Sequence, residues 1–201
     1  MKGFSMNGSR KEALENLQTG TYGVEGEKLD WSYYDTAVLA VATQVHRLFT
    51  NPLGAGGKTL DFTNLTIAGQ IPQGQQIITR AIKVFYRSIA AKGTAAVQAL
   101  YDLFATTTVQ VKLQNKETMG IWTLQELIGS ASLFAVTPTV AGDNIPMIQP
   151  KFHGIFPLNN PITLAALTPF EVTVSHHSAV DATLAGDHLK IALCGTMIRI
   201  S

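Results

Sequence analysis

Gly54-Ala55-Gly56-Gly57-Lys58-Thr59 is the run of this 201-residue chain whose residue types come nearest to a known chemistry. Glycines followed by Lys-Thr are how a phosphate-binding loop cradles a nucleotide, with backbone amides and the lysine on the phosphates. That pattern needs another glycine five residues before Gly57, where Pro52 stands. The loop must also open a helix whose first amides face the anion. Leu60-Asp61-Phe62-Thr63-Asn64 is a poor helix start. The segment therefore reads as a flexible loop between strands.

The histidines are His46, His153, His176, His177 and His188. Zinc sites place their ligands at short, defined spacings. His176 and His177 are adjacent, so on a strand they point to opposite faces. A site drawing His153, His176 and His188 together across strands is conceivable, as in cupins, but the His-x-His pair with a nearby Glu is missing. These histidines read as surface or loop-end residues. A nucleophile needs a positioned base, and no Gly-x-Ser-x-Gly elbow accompanies the serines. The single cysteine, Cys194, reads as a small core or sheet residue and allows no disulfide within the chain. The carboxylates beyond residue 60 are scattered, with no pair set for glycosidase chemistry. The expectation is a protein that is not an enzyme, with no catalytic, cofactor-binding or metal site.

Charged residues make up 14% of the chain and hydrophobic ones 46%. Soluble domains average about 25% charged, so this surface is short of charge and suited to burial against copies of itself. The net charge is +1 with no run of Lys or Arg. Holding nucleic acid takes clustered cations, so no specific nucleic-acid binding is expected. No stretch approaches the 18 apolar residues of a membrane-spanning helix, and the N-terminal residues lack the apolar core of a secretory signal.

The pattern from Thr36 onward is strand-like. Thr36–Phe49 is one strand or a broken one, stopped by Asn51-Pro52 and the glycines. Gln76–Arg87 is apolar on both faces in its second half, as in a covered sandwich strand. Thr94–Phe104 repeats apolar residues at helical spacing and is the one helix expected. Thr108–Leu113 is a strand, and Asn115–Glu117 a turn. Thr118–Ile128 alternates as a strand would, while its Trp122–Glu126 spacing also suits a helix; the strand is the preferred reading, with a bend at Gly129. Val136–Pro150 reads as a loop, Lys151–Leu158 and Pro161–Leu164 as separate short strands. Phe170–His176 alternates cleanly, and Leu189–Ile200 is the last strand. Seven to nine strands between turn signals suit a sandwich or jelly roll.

Three stretches then carry a family likeness. Val45–Gly54, with its apolar strand ending in Asn-Pro, is followed by the Gly-rich loop, by Ala68-Gly69-Gln70-Ile71-Pro72, and by the strand through Tyr86. Later come Gly154–Leu158, Pro161–Leu164 and Pro169-Phe170-Glu171-Val172-Thr173-Val174, then the closing strands Leu189–Leu193 and Thr196–Ile200. This order resembles the jelly-roll coat proteins of tailless, icosahedral, often lipid-containing bacteriophages, the lineage that includes the adenovirus hexon. The resemblance covers about half the chain and implies a structural virion protein with no catalytic residues to carry over. Double-roll members are longer, so it implies a single jelly roll, as a major coat protein or a vertex (penton) subunit. Its implied partners are further copies of itself, other virion proteins and a nearby internal membrane, and its implied location is the virion, after synthesis in the host cytoplasm. The rival reading is a spike or carbohydrate-binding sandwich, for which Trp122 is the candidate aromatic outside the first 35 residues.

The expected architecture is an all-β, single jelly-roll antiparallel sandwich over residues 36–201, with one short helix and an N-terminal arm at residues 1–35. The arm holds four basic and six acidic residues, a short helix around Arg10–Leu17, and Trp31, Tyr33 and Tyr34 near its end. Aromatics of this size gain most from burial, so these three are candidate anchors between subunits or onto the chain's own domain. On this reading, deleting residues 2–34 leaves the sandwich folded and weakens assembly.

Overall fold

The computed structural model describes residues 26–90, 93–113, 117–128, 132–136, 145–149 and 155–199. Eight strands form two four-stranded antiparallel sheets. The first has the order β1 (Glu27–Val38), β10 (His188–Arg199), β3 (Gln75–Arg87), β8 (Ile155–Leu164). The second has the order β2 (Val45–Leu48), β9 (Phe170–His176), β4 (Thr107–Leu113), β5 (Glu117–Thr123). The chain crosses from one sheet to the other at almost every connection, so sequence neighbours such as β1 and β2 lie in opposite layers. Two sheets built this way from eight strands are a single jelly roll.

Side-chain alternation explains why the layers face each other. In β9, Phe170, Val172 and Val174 are buried, and in β10 so are Leu189, Ile191 and Leu193. These residues meet Ile77, Ile82 and Val84 of β3 and Val109 and Val111 of β4 in one continuous core. The β10–β3 register slips between Cys194 and Gly195. A Cβ on Gly195 would lie 1.9 Å from the Ile78 carbonyl oxygen. Only a glycine lets the two backbones approach so closely at this bulge.

The expected helix is α1 (Thr94–Thr106), with Ala96, Val97, Leu100, Leu103 and Phe104 buried. Phe104 meets Tyr86 edge to face at 5.7 Å, so α1 covers one end of the sandwich. Three expectations are corrected. The strand read over Thr118–Ile128 stops at Thr123, where a single-turn helix α2 (Leu124–Ile128) begins. The Thr123 hydroxyl accepts from the Glu126 amide at 3.1 Å, and the Glu126 carboxylate accepts from the Thr123 amide at 2.7 Å. This reciprocal cap outweighs the local alternation. The loop read over Val136–Pro150 contains strand β7 (Ile145–Gln149), which pairs with β6 (Ser132–Val136). The two short strands read around Asn159-Asn160 are one strand, β8, which bulges outward there. As an edge strand β8 has no partner on one side, so its prolines cost no ladder bond.

The arm boundary is also corrected. Residues 27–38 form β1, which pairs with β10 from Glu27↔Arg199 to Val38↔His188, so a division at 35/36 cuts a strand. Removing residues 2–34 would take most of that strand. The helix expected around Arg10–Leu17 lies outside the described residues.

Candidate functional site

The glycine-rich loop closes onto the sandwich. Gly54, Gly56 and Gly57 all take positive φ, at 85°, 61° and 75°. The turn they form carries Lys58 inward to an ion pair with Asp35, a fully buried residue on β1. Asp35 also accepts the amides of Thr36 at 2.9 Å and Phe49 at 2.6 Å, and Lys58 donates to the Thr36 carbonyl at 3.0 Å. Phe49, with φ 65°, is held in the left-handed region by that bond. The lysine that a phosphate loop would aim at an anion is here committed to a buried carboxylate. The following segment seals the edge of β1: the Asn64 side chain accepts from the Tyr34 amide at 2.9 Å and donates to the Ser32 carbonyl at 2.8 Å. An edge covered in this way is not open to a neighbouring strand.

The three anchor candidates are separated by the alternation of β1. Tyr33 faces the core, 3% exposed, and its hydroxyl donates to Gln75 at 3.1 Å. Burial pushes its phenol above the usual range. Trp31 shares that face nearer the strand's open end, edge to face with Tyr33 at 6.3 Å. Tyr34 faces outward under the Lys190 ammonium, which lies 4.6 Å from the ring centre, and its hydroxyl donates to the Leu60 carbonyl. All three are strand residues of the chain's own sandwich.

The histidines part company as well. His188 packs on Phe62 on the outer side of the first sheet, whereas His176 lies buried at the end of β9, so the set with His153 is not assembled by the described residues. His153 itself lies outside them. His176, expected near the surface, is 6% exposed, and its Nδ1 pairs with the Thr107 hydroxyl at 2.7 Å. Its ring stands edge-on to that of His46, 5.3 Å away. Desolvation first, and the nearby His46 second, bring its pKa from 6.5 down to about 4. The unfolded chain then binds a proton between pH 6.5 and 4 that the folded chain refuses. Stability is complete above the upper value and falls as pH drops through the window. At about 1.4 kcal/mol per pH unit, His176 accounts for about 3 kcal/mol of that fall. Urea midpoints measured across the window should drop steeply for the parent and less for His176→Phe. Equal slopes would remove His176 from the account.

Two of the concave features formed by the described residues hold two or more Phe, Tyr or Trp rings. At one side of the sandwich, Trp122 and Phe156 meet edge to face at 6.4 Å in a cleft of about 220 Å³ bordered by Asn159 and Asn160. The Trp122 indole lies over Gly120, where a Cβ would come within 2.1 Å of the ring. On the outer face of β1–β10–β3, a groove of about 470 Å³ is lined by Tyr34, Phe62, Phe85, Lys83, Arg87 and Lys190 among others. Cys194 is half-buried in its wall, and burial raises its thiol pKa. Composition gave no sign of this groove, because its residues come from four separate segments between Ser32 and Cys194. Neither a family model, nor a curated protein, nor a solved structure matches the chain.

Proposed function

We propose that the chain is a structural virion protein, a coat subunit that assembles with further copies of itself into an icosahedral shell. The observation that carries this reading is the order of the two sheets, β1-β10-β3-β8 and β2-β9-β4-β5. Viral coat domains, lectins and cupins share that wrapping, and fold alone does not choose among them. The surface favours the coat. Charged residues are scarce, and the edge strands β2, β5 and β8 expose Val45, Ile121 and Ile155. With β1 sealed by Asn64, those edges are where neighbours would add, and closed symmetry would limit the addition. The order of motifs along the chain, similar to that of tailless-phage coat proteins, supports the same reading. Such a subunit would be made in the host cytoplasm and reside in the virion, beside other virion proteins and near any internal membrane.

Light scattering and negative-stain microscopy of the purified protein test it. Closed particles or capsomer rings are expected, and Ile121→Lys, on the most exposed of the edge residues, should reduce them while leaving the melting curve unchanged. A strict monomer at every concentration would overturn the proposal. A second reading, a spike (penton) or carbohydrate-binding module, is favoured by the Trp122–Phe156 cleft with its two asparagine amides. Glycan binding by a monomer, lost in Trp122→Ala, would establish that reading in place of the first.

A further inference from the structure

Phe85 lies on the outer face of β3 and is 49% exposed, past Lys83, the last β3 residue paired with β8. Lys83 and Arg87 stand two residues to either side of it and so share its face. Lys190 of β10 is its direct cross-strand partner. On an antiparallel pair direct partners have Cβ atoms about 4.5–5.5 Å apart, and the diagonal pairs of Lys190 with Lys83 and Arg87 stand about 7–8 Å apart. Three cations thus line the same groove of about 470 Å³ as this open ring, Lys190 with its ammonium over the neighbouring Tyr34. Asp61 is the carboxylate lining that groove, and among the described residues none pairs with Lys83, Arg87 or Lys190. The net charge of +1 hides this cluster, which only the β10–β3 pairing brings together.

We infer that this groove binds single-stranded nucleic acid, with a base stacked on Phe85 and the flanking phosphates held by Lys83, Arg87 and Lys190. An aromatic platform within a cationic groove is how proteins hold single strands without reading sequence. Other occupants fit less well. Two copies meeting face to face here would set the cations against one another. An acidic peptide would satisfy the cations and leave the ring without a planar partner. A phospholipid headgroup would satisfy the cations and likewise leave the ring without a planar partner. The inference is independent of the coat reading, since it concerns the single subunit.

The test uses the full chain, fluorescein-labelled oligothymidylate and fluorescence anisotropy over a potassium chloride series. Binding is expected, with a log–log salt slope of about −2 for three phosphate contacts at about 0.7 each. Lys83→Ala and Lys190→Ala should each make the slope shallower by about 0.7. Phe85→Ala should weaken binding between about fivefold and about a hundredfold at an unchanged slope. Thermal melts of each variant show that the sandwich is intact. No binding by the parent, or an unaffected Phe85→Ala, overturns the inference. So does equal binding of polyglutamate or of phosphatidylglycerol vesicles, lost on the same substitutions. A change of oligomeric state in Phe85→Ala without loss of oligothymidylate binding would make this face a contact between copies and overturn it as well.

Discussion

Asp35→Ala is expected to lower the free energy of unfolding by about 3–5 kcal/mol, the range for breaking a buried ion pair from one side. Asp35 is inaccessible to solvent and serves three donors: the Thr36 and Phe49 amides and the Lys58 ammonium. Without the carboxylate, Lys58 keeps the Thr36 carbonyl and loses its counter-charge. Phe49 loses the bond that holds it at φ 65°, a conformation a bulky residue adopts at a cost of about 1–3 kcal/mol. Lys58→Ala should cost somewhat less, because both amides keep their acceptor. Replacing the pair together with Leu and Met should cost less than the sum of the two single changes. Urea denaturation of the four proteins measures this. A loss below about 1 kcal/mol in Asp35→Ala would show that the ion pair is incidental, as exposed pairs usually are.

A chain lacking residues 27–34 is expected not to fold at all. That deletion removes eight of the twelve residues of β1 and every β10 partner from Ala192 to Arg199 on that side. It also removes Tyr33 from the core and exposes backbone of β10 that has pairing strands on both sides in the intact sheet. Loss of a cooperative melt and of the sheet signal in far-ultraviolet circular dichroism is the expected outcome. A transition at the parent temperature would mean that β1 is an accessory strand.

How far the sequence foretold these features depends on the range of the forces involved. Phe170–His176 and Gln76–Arg87 were legible because their alternation is the direct imprint of a face buried between sheets, and the structure places strands there within a residue. Thr94–Phe104 was legible for the same reason at helical period. The first nine residues of β1 were not, since Trp31, Tyr33 and Tyr34 fall in a segment with few aliphatic residues, and only pairing with β10, some 160 residues away, makes them a strand. Thr123-Leu124-Gln125-Glu126 is a different case: the capping-box spacing was present in the sequence and overlooked in favour of alternation. Asp35 and Lys58 could not have been paired from the sequence, and Lys58 drew notice only within a false phosphate-loop pattern. Nor could the cations around Phe85 have been grouped without the β10–β3 register.

The position of β10 between β1 and β3 also sets the order in which this molecule can come into being. Its partner β1 is made some 150 residues ahead of it and waits until β10 emerges, with Glu27 finally meeting Arg199. Pairings of such sequence separation close large loops and fold slowly, on the scale of milliseconds to seconds. Until then β1 and β3 are open edges facing a gap one strand wide, and partly made chains with such edges are prone to aggregate. The nascent chain is therefore most vulnerable just before β10 is made. The groove around Phe85 exists only after the gap is filled, because Lys190 arrives with the strand that fills it. A ligand of that face would thus distinguish chains with β10 in place from chains without it.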